Sequence, residues 1–364
     1  MSRTISIEDI AQAAGVSHTT VSRALRESPL ISREVRERVQ KLASEMGYIP
    51  NAVAQSLRGE RTNTIGLVVT TIADPFVGRV VRGIEEVAQQ RNLSLFLSVS
   101  YNDPDREVAV IENFHRRRVD GIIVAAARLT AQHEKRLAKT PVPTVLINQQ
   151  ADTSLEHLQS VSIDDYAGAQ QAIDYLLESG HRAIGFMGAG SRPRSNRARL
   201  NAYRDTLTAA GVTPQPDWVC EAPASDRYHT DDVRAGQEML PPLIQAGVTA
   251  VFCYNDMMAV GAMLACRTLG ISIPEQLSIV GFDDIELAQF VTPALTTVHQ
   301  PKLRMGQTAI AMLLDLLDGK STESRLLPTD LIVRGSTAAP PAVPLGNQYP
   351  GLGEEYPDQS YTSS

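Results

Sequence analysis

Cysteine is scarce in this chain, with three in 364 residues (Cys220, Cys253 and Cys266). An odd, scattered set without C-x-x-C spacing excludes a disulfide framework and a cysteine zinc site, and reads as thiols kept reduced in a cytoplasm. No apolar run approaches the roughly 20 residues that a membrane helix needs, and the opening MSRTISIEDI lacks the apolar core of a secretory signal. Catalytic patterns are missing too. His157, His181, His229 and His299 are scattered, and no Ser or Cys nucleophile stands in motif spacing to a histidine. No phosphate-binding glycine loop follows the first apolar strand, and Gly188–Ala189–Gly190 lacks the rest of a dinucleotide fingerprint. These absences weigh against an enzyme, and no catalytic residue, metal or cofactor is expected. The C-terminal region carries no leucine heptads, so a tetrameric coiled coil is not expected either.

What remains is the composition of a globular protein, 43% hydrophobic and long enough for two or three domains. The net charge of −7 is unevenly spread: residues 1–62 carry nine Lys/Arg against seven Asp/Glu, so a slightly cationic head precedes an acidic body. That distribution suits a protein that meets DNA with one end.

The head is organised by Ala11–Leu25, AQAAGVSHTTVSRAL. Ala11 and Ala14 permit close helix approach, Gly15 suits a tight turn, and Ser17 is placed to cap a second helix. Val21 and Leu25, four apart, share a face that points back at the first helix. His18, Thr19, Ser22 and Arg23 are left outside, a set of hydrogen-bonding side chains suited to base edges and phosphates. Upstream, Ser6–Ile7–Glu8–Asp9 is a capping box. Downstream, Ser32 caps a third helix with Val35, Val39, Leu42 and Met46 on one face, and Gly47 ends it. After Pro50, residues 51–59 form a helix of about two turns, too short to stand alone in water, so it should fold only against a partner.

From Ile65 the texture is apolar strand then amphipathic helix, repeated. Strands read at 65–69, 93–99, 121–126, 144–148, 183–188, 218–221, 250–255 and 277–283. Helices read at 76–91, 104–118, 130–139, 165–180, 195–211, 230–246 and 256–270. Near-continuous apolar strands alternating with helices mean parallel sheet covered on both faces. More than eight such units without a barrel signature predict two doubly wound lobes, with a ligand beyond the strand C-termini in the cleft between them. The expected divisions are a helix-turn-helix domain at 1–48, a hinge helix and linker at 49–62, and a two-lobed body at 63–340. Lobe 1 is expected at 63–161 and 292–321 and lobe 2 at 162–291 and 322–340. A disordered tail, rich in Pro, Gly, Ser and Tyr, follows at 341–364.

The segments GVSHTTVSRAL, YIPNAVAQSLRG, TNTIGLVV, YNDMMAVGA, IVGFDDIELAQF and PALTTVHQP resemble the LacI/GalR family of bacterial transcriptional regulators, in the family's order and from about Thr4 to Pro340. The last region is most similar to the ribose-repressor branch. The resemblance implies an α/β body of the type I periplasmic-binding-protein-like form behind a three-helix helix-turn-helix head and a hinge helix. It implies a ligand-responsive repressor of carbohydrate metabolism genes, a cytoplasmic homodimer on a pseudo-palindromic operator in double-stranded DNA, released by a small sugar-like inducer. By the same resemblance His18, Thr19, Ser22 and Arg23 read bases in the major groove, while Ser6, Ser17, Ser32, Tyr48 and Asn51 contact phosphates. Leu57 is wedged into a central base step, with Ala54 allowing the two hinge helices to approach. Asn148, Arg199, Asn255 and Asp283 correspond to effector-contacting positions. Phe76 is placed to stack on a sugar face, and Gln300 joins from the segment returning to the first lobe. Two departures bear on the ligand: Asn148 stands where many members have Asp, and Ala202–Tyr203 replaces a Gly-Phe pattern. Arg192, Arg194, Arg197 and Arg199 would also suit an anion. The alternatives are therefore a co-repressed regulator of purine or sugar-phosphate type, or a sugar-binding receptor without regulation. Asp256 and Asp284 are read as helix N-caps and left out of the site.

Overall fold

The computed structural model describes residues 5–48, 61–101, 103–125, 142–148, 158–190, 193–223, 232–343 and 345. The chain divides into two units, 1–62 and 63–364.

Among its described residues the first unit holds three helices, α1 (Ile7–Ala14), α2 (His18–Leu25) and α3 (Arg33–Glu45). Their core is Ile10, Ala14, Val21, Ala24, Val39 and Ala43, with Leu25, Val35, Leu42, Met46 and Tyr48 packed partly buried around it. A core this small leaves little stability to spare, so the helix ends matter. Ser6 and Asp9 close a reciprocal capping box on α1, and Gly15 ends that helix in the left-handed region at φ +63°. Ser17 caps α2 and Ser32 caps α3. The hinge expected at 49–60, with Asn51, Ala54 and Leu57, lies outside the described residues.

The second unit contains two six-stranded sheets. The first is built from β1 (Thr64–Val69), β2 (Ser94–Val99), β3 (Gly121–Ala125), β4 (Thr144–Ile147), β5 (Gln159–Ile163) and β11 (Arg325–Leu327), in the order β2-β1-β3-β4-β5-β11. The second contains β6 (Ile184–Ala189), β7 (Val219–Ala222), β8 (Ala250–Cys253), β9 (Ser278–Asp283), β10 (Thr296–His299) and β12 (Asp330–Ile332), in the order β7-β6-β8-β9-β10-β12. The pairings are parallel throughout, apart from β12 against β10. The two orders repeat one another, which is the doubly wound pattern expected.

Helices α4 (Pro75–Gln90) and α5 (Pro104–Arg116) cover the first sheet, and α6 (Asp165–Glu178), α7 (Pro193–Ala209), α8 (Asp232–Gln245) and α9 (Asp256–Leu269) cover the second. The four-residue α10 (Leu287–Phe290) precedes β10, and α11 (Lys302–Leu317) returns to the first sheet against α4. That contact is set by Gly83 and Gly306, where a Cβ would collide with the main chain of the facing helix; Gly236 and Gly261 do the same for α8 and α9. The helix expected at 130–139 lies outside the described residues.

Two boundaries differ from the sequence reading. β10, expected in lobe 1, pairs with β9 in the second sheet, and Thr297 hydrogen-bonds there to Asp256. β11, expected in lobe 2, pairs with β5 in the first sheet. The chain therefore crosses between the sheets near Ile163, again between His299 and Lys302, and a third time between Leu327 and Asp330. In the stretch read as tail from 341, Leu345 is buried in the apolar cluster of the second sheet.

Candidate functional site

In the head, the side chains expected at DNA divide by what they already touch. Thr19 and Arg23 on α2 are exposed and His18 is half-buried. Ser22 is not on that surface: it is buried, its hydroxyl accepts from Arg26 Nη2 at 2.8 Å and its carbonyl from Arg26 Nε at 3.0 Å. Without DNA, Ser22 is thus engaged within the head, unlike its neighbours Thr19 and Arg23. It falls on the α2 face that carries Val21 and Ala24, whose burial takes it inward. The hydroxyls of Ser6, Ser17 and Ser32 accept from the amides of Asp9 (3.2 Å), Thr20 (3.1 Å) and Val35 (3.4 Å). Ser17 and Ser32 are exposed while doing so, and Ser6 and Tyr48 are half-buried.

In the second unit, the ends of β1, β4, β8, β9 and β10 and the starts of α4 and α7 enclose a cleft of about 710 Å³, part of it continuous with solvent. Of the six predicted effector residues, five line it: Phe76, Asn148, Arg199, Asp283 and Gln300. They come from both sheets, brought together because parallel strands all end at the same edge.

Asn255 is the exception. Its side chain caps α9, accepting from Met258 N at 2.8 Å, and donates to Asp232 at 2.7 Å. Capping was the role read for the neighbouring Asp256, and Asn255 performs it instead. Asp256 is fully buried and accepts from Thr297 Oγ1 at 2.5 Å and Ile285 N at 2.8 Å. Burial, reinforced by nearby Asp283, raises its pKa well above the ordinary carboxylate value. Asp284 is no cap either. It accepts from His299 Nδ1 at 2.8 Å and from Arg334 Nη2 at 2.6 Å. Burial acts to raise its pKa, but these bonds and the charges of Arg334 and Lys302 bring it down to about 2.

Arg199 is the most constrained group of the cleft. Its Nε and Nη2 donate to Asp165 Oδ1 at 2.8 and 2.7 Å and its Nη1 to the carbonyl of Tyr254. The guanidinium carbon lies 3.5 Å from the ring centre of Phe282 and 4.4 Å from that of Tyr254. Burial opposes its charge, yet Asp165, Tyr254 and Asp283 outweigh that, and its pKa is raised. Its charge is balanced from within the protein. Arg194 and Arg197 are exposed, Arg194 at the cleft wall, and Arg192 lies outside the described residues.

Two acceptors in the cleft have no partner among the described residues. Gln300 Nε2 donates to Asp283 Oδ1 at 2.6 Å, which fixes the carboxamide's orientation and leaves Gln300 Oε1 buried without a hydrogen bond. Asn148 Oδ1 is likewise buried and unpaired. Unsatisfied buried polar atoms are rare in folded proteins, because each costs about 1–3 kcal/mol. Asn148 and Asp283 also carry positive φ, +56° and +112°, a conformation that non-glycine residues adopt at a cost and that collects at functional sites. Sequence reasoning missed Tyr254, hidden in the apolar run AVFCYN, and Asp165, whose role depends on meeting α7 across the fold. Among the described residues no His/Cys/Asp/Glu group could hold a metal ion, and no helix is long and apolar enough to cross a membrane.

A helix-turn-helix unit followed by a two-sheet body with a ligand cleft defines a class: DNA-binding regulators governed by a small molecule. Residues 6–51 match the bacterial regulatory proteins of the lacI family, and residues 173–337 match a periplasmic binding protein-like domain. The chain is 34% identical over 341 residues to the HTH-type transcriptional repressor CytR of Escherichia coli (strain K12), covering 92% of this chain and 97% of that protein. It is 33% identical over 338 residues to the repressor PurR of Haemophilus influenzae (strain PittEE), covering 91% and 98%. The fold matches the crystal structure of the lac repressor dimer bound to operator and the anti-inducer ONPF. The TM-score is 0.82 at 28% identity, covering 93% of this chain and all of that one. The chain belongs to the lacI family of bacterial regulatory proteins and is a ligand-responsive, DNA-binding transcriptional repressor.

Proposed function

We propose that the protein represses carbohydrate metabolism genes from a pseudo-palindromic operator, as a cytoplasmic homodimer without catalytic activity, and is released by a neutral, polyhydroxylated inducer bound in the cleft. The unpaired acceptors Asn148 Oδ1 and Gln300 Oε1 carry this reading. They ask for donors, and a sugar's hydroxyls supply them in neighbouring pairs. The balance of Arg199 by Asp165 favours a neutral ligand over a phosphate or acid, since a second anion would compete for a charge already used. Phe76 offers an apolar edge, and Arg199 and Asp283 fix orientation. Asn255 acts indirectly, by holding the end of β8.

On DNA, His18, Thr19 and Arg23 read bases, the arginine fork suiting guanine. Ser6, Ser17, Ser32 and Tyr48 meet phosphates, which need not cost the serines their caps, because a hydroxyl that accepts from an amide still has a proton to donate. Ser22 supports the helix from inside. Asn51 also meets a phosphate, and Leu57 wedges into a central base step from the minor groove, with Ala54 allowing the two hinge helices to approach. A second copy is supported by the edge strand β2, whose Phe96 and Leu97 are 45% and 42% exposed.

The test is fluorescence anisotropy on a selected palindromic DNA library, with pentoses, hexoses, sugar acids, sugar phosphates, nucleobases and nucleosides. Loss of binding with a neutral polyol is the expected result. Gain of binding with a purine, or release by a phosphorylated sugar alone, would replace the inducer reading. Absence of any palindrome preference would overturn the operator reading.

A further inference from the structure

Lys302, the first residue of α11, is 6% exposed and puts its ammonium beneath the cleft. Nζ donates to the carbonyls of Asp283, of Asp284 at 2.9 Å and of Gln300 at 3.2 Å. Three carbonyls match the three ammonium protons. Two of them belong to consecutive non-glycine residues with positive φ, Asp283 at +112° and Asp284 at +51°. Such a backbone persists only where its surroundings over-determine it. The third belongs to the residue at which the chain leaves the second sheet for the first. The side chains of Asp283 and Gln300 meet on the cleft side at 2.6 Å. A buried ammonium is costly, and here it serves main-chain carbonyls where a carboxylate would be the ordinary partner.

We propose that Lys302 is a positioning residue of the ligand response: it holds Asp283 and Gln300 in their cleft-lining pair and ties that pair to the inter-sheet crossing. The inference rests on the cleft being the effector site. Arg79 of α4 and Glu286, 3.6 Å apart, add an exposed link between the same two regions.

The test uses the full chain labelled uniformly with 15N. The Gln300 side-chain amide is identified by its disappearance in Gln300→Glu, and its solvent exchange is followed by NMR. In the native chain these protons exchange slowly, because one of them is held by Asp283. Lys302→Met should speed their exchange at least tenfold while amides in the centre of the second sheet stay protected. Lys302→Arg, which keeps a cation on the same carbonyls, should restore part of the protection. A merely structural role would spread faster exchange through the sheet without singling out Gln300. A folded Lys302→Met chain with native Gln300 exchange overturns the proposal. Where Lys302→Met does not fold, Lys302→Gln is read the same way, with native exchange again overturning it. No effector enters the measurement, so an effector screen without a hit counts against the cleft reading alone.

Discussion

The serines of the head and the carboxamides of the cleft are both assigned to partners outside the chain, yet they are bonded differently without them. Ser6, Ser17 and Ser32 each accept from a helix amide, and Ser22 accepts from Arg26. Asn148 Oδ1 and Gln300 Oε1 accept from nothing among the described residues. The head thus uses its polar side chains first to fold three short helices around a small core, and of the expected base contacts Thr19 and Arg23 are the exposed ones. The cleft sits on two large sheets that are stable enough to carry unsatisfied atoms and strained backbone. A small domain places recognition on groups that also hold it together, whereas a large one can leave acceptors waiting for a ligand. Substitutions should therefore couple stability to function in the head and separate them in much of the cleft.

The largest expected effect is an exception to that separation. Arg199→Ala removes a 3% exposed cation and leaves Asp165 and the Tyr254 carbonyl without their donor. Breaking a buried pair from one side costs about 3–5 kcal/mol, and urea unfolding should show a loss of that size together with loss of effector release. Arg199→Lys should not rescue it, because an ammonium cannot reproduce the fork between Asp165 and Tyr254 or the stacking on Phe282. Near-native stability in Arg199→Ala would mean that the ion pair is not what organises the cleft.

Acid should act on the large unit through Asp284. Its pKa falls from 3.8 to about 2 on folding, under the donors His299 and Arg334 and against the effect of burial. A depressed carboxylate stabilises the fold above its unfolded pKa and loses that contribution as pH falls through the folded value. About 2 kcal/mol should disappear between pH 4 and pH 2. His181 adds an earlier loss. It is buried between Thr249, Ser278 and Ala338, and burial lowers its pKa, so the unfolded chain takes up its proton first as pH falls below about 6.5. The chain's one tryptophan, Trp218, lies just before β7 in the second unit and reports these steps by fluorescence. Asp284→Asn should remove the lower step and keep the upper one.

In the head, Arg23→Ala and Ser22→Ala should part company although the two residues are adjacent. Arg23 is exposed, so its loss should lower base discrimination by about 1–3 kcal/mol with no change in Tm. Ser22→Ala should cost stability of about 1 kcal/mol by removing the acceptor of Arg26, while base preference on a selected library stays the same. Altered base preference in Ser22→Ala would return that residue to the reading face.

Most of the fold is legible in the chain because it follows local periodicity. The capping serines, Gly15 and the alternation of apolar strands with amphipathic helices each depend on neighbours within a few residues. What periodicity does not carry is which sheet a short strand joins. Thr296–His299 and Arg325–Leu327 are four and three residues long, and only their partners β9 and β5 decide their place. The cleft follows the same division. Asn148, Asp283 and Gln300 are reached through the family resemblance, while Asp165 and Lys302 act through contacts 34 and 19 residues away in sequence. Asn255, which takes the cap read for Asp256, shows the limit most sharply. At a strand-to-helix turn a one-residue shift decides whether a side chain caps the helix or is buried beneath the sheet, and either residue type suits either role.

The smallest expected effect separates the two regions most cleanly. Asn148 has φ +56°, its Oδ1 is buried and unpaired, and its main-chain N–H donates to the Val161 carbonyl at 2.8 Å. Glycine takes that φ without steric cost and brings no acceptor to be left unsatisfied. Its greater freedom in the unfolded chain works the other way. The opposing contributions are each about 1 kcal/mol, so Asn148→Gly should leave the urea midpoint at or slightly above its native value. Effector release, read by anisotropy, should weaken at least tenfold, because one of the two waiting acceptors is gone. Ser17→Ala in the head makes the opposite case: it loses about 1 kcal/mol of stability through its cap and weakens DNA binding with it. If Asn148→Gly instead destabilises the fold, Asn148 is a structural residue like the serines, and Gln300 alone carries the case for an acceptor held open for a ligand.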